Sequence, residues 1–183
     1  GRTTLSGEGL QHQDGTSHLI ASTVPNCRAY DPCFAYELAW ILDEGMRRML
    51  TEQEDVFYYV TVMNESYAHP SAPDGARTGV LRGMHCVRTS PRGAAQVRLL
   101  GAGTILREAL AAAEILETEH GIATEVYSVT SFTELRRDAL ALDRAARQGQ
   151  ARTDSWIEHC LPASGVPVIA ASDYVSAVAD LIR

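Results

Sequence analysis

His12 and His18 stand six residues apart in GRTTLSGEGLQHQDGTSH, the first eighteen residues of the chain, with Glu8 and Asp14 beside them. An imidazole can donate, accept or move a proton near neutral pH, and a nearby carboxylate can orient the ring. Gly1, Gly7, Gly9 and Gly15 let the backbone turn tightly or come close to a ligand. Core-forming side chains are almost absent from this stretch, so it reads as a functional loop, with a solvated polar loop as the competing reading. A zinc site built from His12, His18, Cys27 and Cys33 is a poorer fit, because the spacings match no established ligand pattern and Cys33 is expected in the first turn of a helix.

Two other places could hold chemistry. The GAGTI stretch at 101–105 joins an expected strand to an expected helix, where backbone amides can hold a phosphate. The rest of a dinucleotide fingerprint is missing, since Arg107, Glu108 and Ala109 occupy the positions where a third glycine would fall; a tight turn is the better reading. Thr130, Ser131 and Phe132 lie where sites of α/β sheets form, although a helix cap from Ser131 or Thr133 explains them as well. Asp173 and Tyr174 read as cap and packing residues, and Cys27 and Cys33 as small core hydrophobes. Walker, G-x-S-x-G and HExxH motifs are absent from the sequence.

The elements that must position these residues follow from periodicity. Asp31 before Pro32 predicts an N-cap and first helical residue. The helix that follows would turn Phe34, Leu38, Ile41, Leu42, Gly45 and Met49 inward and Glu37, Asp43, Glu44, Arg47 and Arg48 outward. Residues 57–63 (FYYVTVM) read as a buried strand. Prolines and glycines then break any long period between Asn64 and Arg92, which marks 64–95 as a linker. Beyond it the pattern predicts strand 96–100, helix 105–119 ended by Gly121, strand 123–129, helix 133–147, strand 166–171 and a last helix from Asp173. Strands alternating with helices imply parallel βαβ units, with Val97, Leu99, Ile105, Leu110, Ile115, Leu116, Val126, Val129, Val168 and Ile169 as core.

Composition narrows the function classes. The chain has 16 basic and 23 acidic residues, for a net charge of -7, and every basic residue is arginine. No basic run tracks phosphates, so nucleic acid is excluded as an expected partner. No apolar stretch approaches the ~20 residues that would cross a bilayer, and the four cysteines form no CxxC pair, which points to a reduced, cytoplasmic protein without a membrane partner. The chain opens inside the glycine-rich loop without an initiator methionine, and so is expected to belong to a longer polypeptide.

Read in order, GRTTLSGEGLQHQDGTSH, PNCRAYDPCFAYELAWILDEGMRRM, FYYVTVMNESY, LLGAGTILREALAAAEIL, VYSVTSFTELRRDA and ASDY resemble the homodimeric-type bacterial pyruvate dehydrogenase decarboxylating components, which are transketolase-like thiamine diphosphate enzymes. The resemblance covers nearly the whole chain. It implies an α/β fold in which residues 1–63 are the end of a pyrimidine-binding domain, 64–95 a linker, and 96–183 a transketolase C-terminal-like domain that is incomplete at its end. It implies thiamine diphosphate and Mg2+ as cofactors, pyruvate as substrate, a homodimer, and a lipoyl-bearing dihydrolipoyl acetyltransferase as partner that receives the two-carbon unit. His12 matches the family histidine that faces the substrate adduct; Glu8 and His18 match further loop positions.

Departures from the family pattern are Thr16 for a histidine, Gln13 for an acid, and Ala68 with His69 for a His-Met pair. The GDG stretch with a following asparagine, which holds magnesium and diphosphate in the family, is not in this sequence, so the chain alone is expected to be inactive. Two alternatives stay open: a related thiamine enzyme for another 2-oxo acid, and a non-catalytic α/β assembly or regulatory module.

Overall fold

The structure is a computed structural model that describes residues 3–4 and 9–182, apart from the side chain of Leu10. A single turn of 3-10 helix at Leu10–His12 leads into α1 (Ser17–Ser22), β1 (Cys27–Tyr30) and α2 (Ala35–Met46). The backbone of α2 then widens into a π-helical segment at Arg47–Thr51 before β2 (Phe57–Val60). β1 and β2 pair in parallel, Cys27 opposite Phe57 and Tyr30 opposite Val60.

The start of α2 differs from expectation. Asp31 is not its N-cap, and Pro32 and Cys33 precede the helix. The carboxylate of Glu37 takes over instead, its Oε2 accepting from the amides of Cys33 (2.7 Å) and Phe34 (2.9 Å), which satisfies donors that a helix start leaves without partners. Glu37 therefore faces inward, fully buried with Ile41 and Gly45. Leu42 and Met46 lie half exposed on the other side. The buried ridge runs 37, 41, 45, one i+4 row of the helix; Ile41 and Gly45 face inward as expected, and Glu37, expected outward, completes the row.

The proline- and glycine-rich stretch 64–95 is not structureless. It carries α3 (Arg77–Arg82) and β3 (His85–Thr89), and β3 pairs antiparallel with β5 (Thr124–Ser128), His85 opposite Ser128. The second sheet has the order β3-β5-β4-β6, with β4 (Val97–Gly101), β5 and β6 (Val168–Ala171) mutually parallel. The expected helix α4 (Ile105–Glu119) is found with its predicted bounds, and Gly121 follows it at φ 69°, the left-handed conformation suited to a helix end. α5 (Phe132–Arg147) is capped by Ser131, whose Oγ accepts from the amide of Glu134 at 3.0 Å. α6 (Trp156–Cys160) and α7 (Ser176–Ala179) follow, and a 3-10 turn at Asp180–Ile182 comes after α7, which starts three residues after Asp173.

Alternation along the central strands divides the core. Val97, Leu99 and Val126 pack with Leu106, Ala109 and Ala113 of α4, and Phe34 from the amino-terminal part enters the same cluster. Leu100, Tyr127 and Val129 pack on the opposite face with Met84, Phe132, Leu135, Tyr174 and Val178. Ile115, Val168 and Ile169, expected in the core, are instead 49%, 44% and 55% exposed. Ile115 lies on the outer face of α4, and the other two lie on β6, which is bonded on one side only.

Candidate active site

The sequence singled out Glu8, His12 and His18. Glu8 lies outside the described residues. His12 ends the 3-10 turn, where its amide donates to the carbonyl of Gly9 at 3.0 Å, and the residue is exposed. His18 is in a different environment, only 3% exposed in the first turn of α1. The two histidines therefore do not form one constellation. One is presented at the surface, and the other is held in the interior.

Behind the loop is a polar cluster centred on the hydroxyl of Thr61. It donates to Oδ1 of Asp31 at 2.6 Å, lies 3.1 Å from Nε2 of His18, and receives the Tyr174 hydroxyl at 3.3 Å. A threonine has one proton and two lone pairs. Its proton is directed at the carboxylate, with the Tyr30 carbonyl a more distant acceptor at 3.3 Å, which leaves Nε2 of His18 and the Tyr174 hydroxyl facing its lone pairs. Tyr59 and Tyr174 flank the His18 ring at centroid distances of 5.5 and 4.8 Å.

Asp31, 4% exposed, links this cluster to the second sheet. Its amide donates to Thr130 O at 2.7 Å, and its carbonyl accepts from Gly103 N at 3.1 Å. Gly103 has φ 50°, and a Cβ there would lie 2.4 Å from Oδ2 of Asp31. This settles the chemistry of the GAGT turn. An acidic group already sits against it, and the amides of Ile105 and Leu106 are committed to Ala102 O and Gly103 O, so it is a tight βα turn and no phosphate cradle. Sequence reasoning missed Asp31 and Thr61 as members of a polar cluster. Asp31 carried a signal, but the Asp-Pro pair has a commoner use as a helix start.

Ser131 and Thr133 are also structural. Both hydroxyls donate to Ala29 O, at 2.6 and 3.2 Å, while Arg137 donates to Pro25 O and Cys27 O at 2.6 and 2.8 Å. The start of α5 thus closes the edge of β1 that β2 does not cover. The cysteines behave as core residues: burial pushes the Cys33 thiol up to about 12 and the Cys160 thiol up to about 11, so their nucleophilic thiolate forms are scarce near neutral pH. Among the described residues, no group of three or more His, Cys, Asp or Glu side chains could hold a metal ion, and no helix is long and apolar enough to cross a membrane.

The fold and the loop meet in the comparisons with known proteins. Residues 1–70 match the family model for the pyruvate dehydrogenase E1 component middle domain, and residues 83–183 match that for the transketolase-like TK C-terminal domain. The chain belongs to the transketolase-like pyruvate dehydrogenase E1 family. It is 54% identical to the pyruvate dehydrogenase E1 component of Pseudomonas aeruginosa and 44% identical to that of Escherichia coli K12, in both cases over 100% of this chain and 21% of the relative. The chain thus spans about a fifth of the length of these relatives. A transketolase of Pichia stipitis in complex with sedoheptulose 7-phosphate superposes with a TM-score of 0.64 at 17% identity, covering 92% of this chain and 21% of that one. Transketolase from Leishmania mexicana gives 0.58 at 19% identity, with the same coverage. These solved structures bear on the fold: an α/β arrangement of an E1 middle segment followed by a transketolase C-terminal-like unit.

Proposed function

We propose that this chain is part of a cytoplasmic, homodimeric pyruvate dehydrogenase E1 component that decarboxylates pyruvate and passes the two-carbon unit to the lipoyl group of a dihydrolipoyl acetyltransferase, the step by which glycolytic pyruvate is consumed. The observation that carries the reading is the match to E1 components along 100% of the chain, joined to a histidine presented at the surface by a short 3-10 turn.

In this reading residues 1–63 complete a pyrimidine-binding domain and 96–183 form the C-terminal-like domain. The intervening 64–95 connect them, with β3 contributed to the second sheet. Thiamine diphosphate, when bound, supplies the electron sink for the carbon chemistry. The GDG stretch with its following asparagine is not in this sequence, so the groups that hold diphosphate and Mg2+ are assigned to other parts of the full-length enzyme, and the 183-residue chain alone is read as inactive. His12 serves as proton donor or oxyanion stabiliser toward the reactant, and Glu8 is assigned either to ordering the loop or to contact with the other subunit.

The test is an assay of the full-length protein with pyruvate and with bulkier 2-oxo acids, with and without thiamine diphosphate and Mg2+. The expected result is cofactor-dependent turnover that favours pyruvate. Turnover of the bulkier acids with none of pyruvate would overturn the substrate assignment, and cofactor-dependent activity of the isolated 183-residue chain would overturn the claim that it is inactive.

A further inference from the structure

The loop that carries His12 is attached to the other end of the chain by one tripeptide. Thr3 N donates to Oδ2 of Asp173 at 3.3 Å, and Val175 N donates to the carbonyl of Gly15 at 3.0 Å. Between these two bonds, the ring of Tyr174 packs on that of His18 with centroids 4.8 Å apart and planes inclined by 55°. Consecutive residues 173, 174 and 175 therefore grip the segment before His12, the segment after it, and the start of α1.

The loop is also braced from within. Oδ1 of Asp14 accepts from the amides of Thr16 and Ser17 at 3.2 and 2.9 Å, and Oδ2 accepts from the Ser17 hydroxyl at 2.5 Å. His12 lies three residues before Gly15, so its Cα stays within about 11 Å of the Gly15 Cα even if the chain between them is fully extended.

His18 is buried, its Nε2 lies 3.1 Å from the Thr61 hydroxyl, and the Tyr174 hydroxyl donates to the same oxygen. Two side chains from distant parts of the sequence thus meet on one hydroxyl. That hydroxyl is in turn fixed by Asp31, the residue locked against Gly103.

We infer that Asp173, Tyr174 and Val175 form a clamp that holds the His12 loop in its working position, with His18 and Tyr174 as positioning residues. The inference rests on the assignment of His12 given above. It gives the C-terminal-like unit a part in the active site through the placement of a loop contributed by the middle segment. A displacement of about 1 Å in a reacting group can cost about a hundredfold in rate, so loosening the clamp lowers turnover without touching the reactant.

The test uses the full-length holoenzyme and combines hydrogen exchange with a double-mutant cycle. In Tyr174→Ala, amides of residues 9–16 are expected to exchange at least about tenfold faster while those of β4 and β5 keep their protection. Turnover is expected to fall about tenfold in the wild-type background and less than about twofold further in a His12→Ala background, because the two residues act as one unit. Tyr174→Phe keeps the ring and is expected to restore most of the turnover. If Tyr174→Ala does not fold, Asp173→Ala, which removes the acceptor for Thr3, carries the same expectation for exchange.

Unchanged exchange across residues 9–16, or an equal loss of turnover with and without His12, would overturn the inference. If His12→Ala alone leaves turnover unaltered, the assignment of His12 has failed, and the exchange measurement by itself decides whether the clamp exists.

Discussion

The two sheets treat their edges differently. In the second, β4 is buried along its whole length between β5 and β6, with helices on both faces. The first has two strands among the described residues, and Phe57 and Tyr59 on β2 are 46% and 36% exposed. Its inner strand is covered from outside the sheet, by the hydroxyls and guanidinium at the start of α5 and by the Asp31 bonds to Thr130 and Gly103. The amino-terminal part is thus ordered largely by what the carboxy-terminal part offers it. Beside the apolar contact of Phe34, the polar contacts at Ala29 and Asp31 are short and buried, which makes them specific and costly to break one partner at a time.

That contrast can be broken most severely at Glu37. Its Oε1 accepts from Nε2 of buried His85 at 2.7 Å while Oε2 caps α2, so a single side chain ties α2 to β3. Glu37→Ala is expected to destabilise the fold by at least about 3 kcal/mol, because two amides and Nε2 of His85 lose their buried acceptor at about 1–3 kcal/mol each, read as a shifted denaturation midpoint. A loss below 1 kcal/mol would mean that the contact between the two parts does not depend on it.

Gly103→Ala comes next. The added methyl meets the Asp31 carboxylate at a positive φ, and a cost of about 2–3 kcal/mol is expected. Pairing it with Asp31→Ala should recover part of that loss, and strict additivity of the two in chemical denaturation would show that the close approach is not what matters. At the other extreme stands Leu50, 72% exposed on the π-helical segment. Leu50→Glu is expected to change stability by no more than about 0.5 kcal/mol, while reducing any association of the exposed apolar surface measured by light scattering.

Much of the second sheet was legible because its local signals agree with its tertiary role. The alanine-rich run of α4, Gly121 after it and the Ser131 cap of α5 all mean in place what they mean in isolation. The first region misled for the opposite reason. Asp31-Pro32 has the pattern of a helix start, but Asp31 is spent on Thr61 and Gly103, and Glu37 reaches back to do the capping. Periodicity cannot show this, because it assigns a carboxylate to the outer face unless its buried partner is known, and His85 is 48 positions away. β1 and β3 were not read because CRAY and HCVRT lack the dense apolar and aromatic run of FYYVTVM, and each becomes a strand by pairing with β2 or β5.

The site divides in the same way. The exposure of His12 follows from its polar, glycine-rich loop, whereas the burial of His18 depends on Tyr59, Thr61 and Tyr174 closing over it.

His12 is the side chain proposed to meet the reactant. The direct measurement is thiamine diphosphate-dependent turnover of pyruvate by the full-length His12→Ala enzyme, with its thermal midpoint recorded beside that of the wild type. An unchanged midpoint with turnover lowered by about a hundredfold is predicted, the scale of a lost general acid or base. A rate equal to that of the wild type would contradict it.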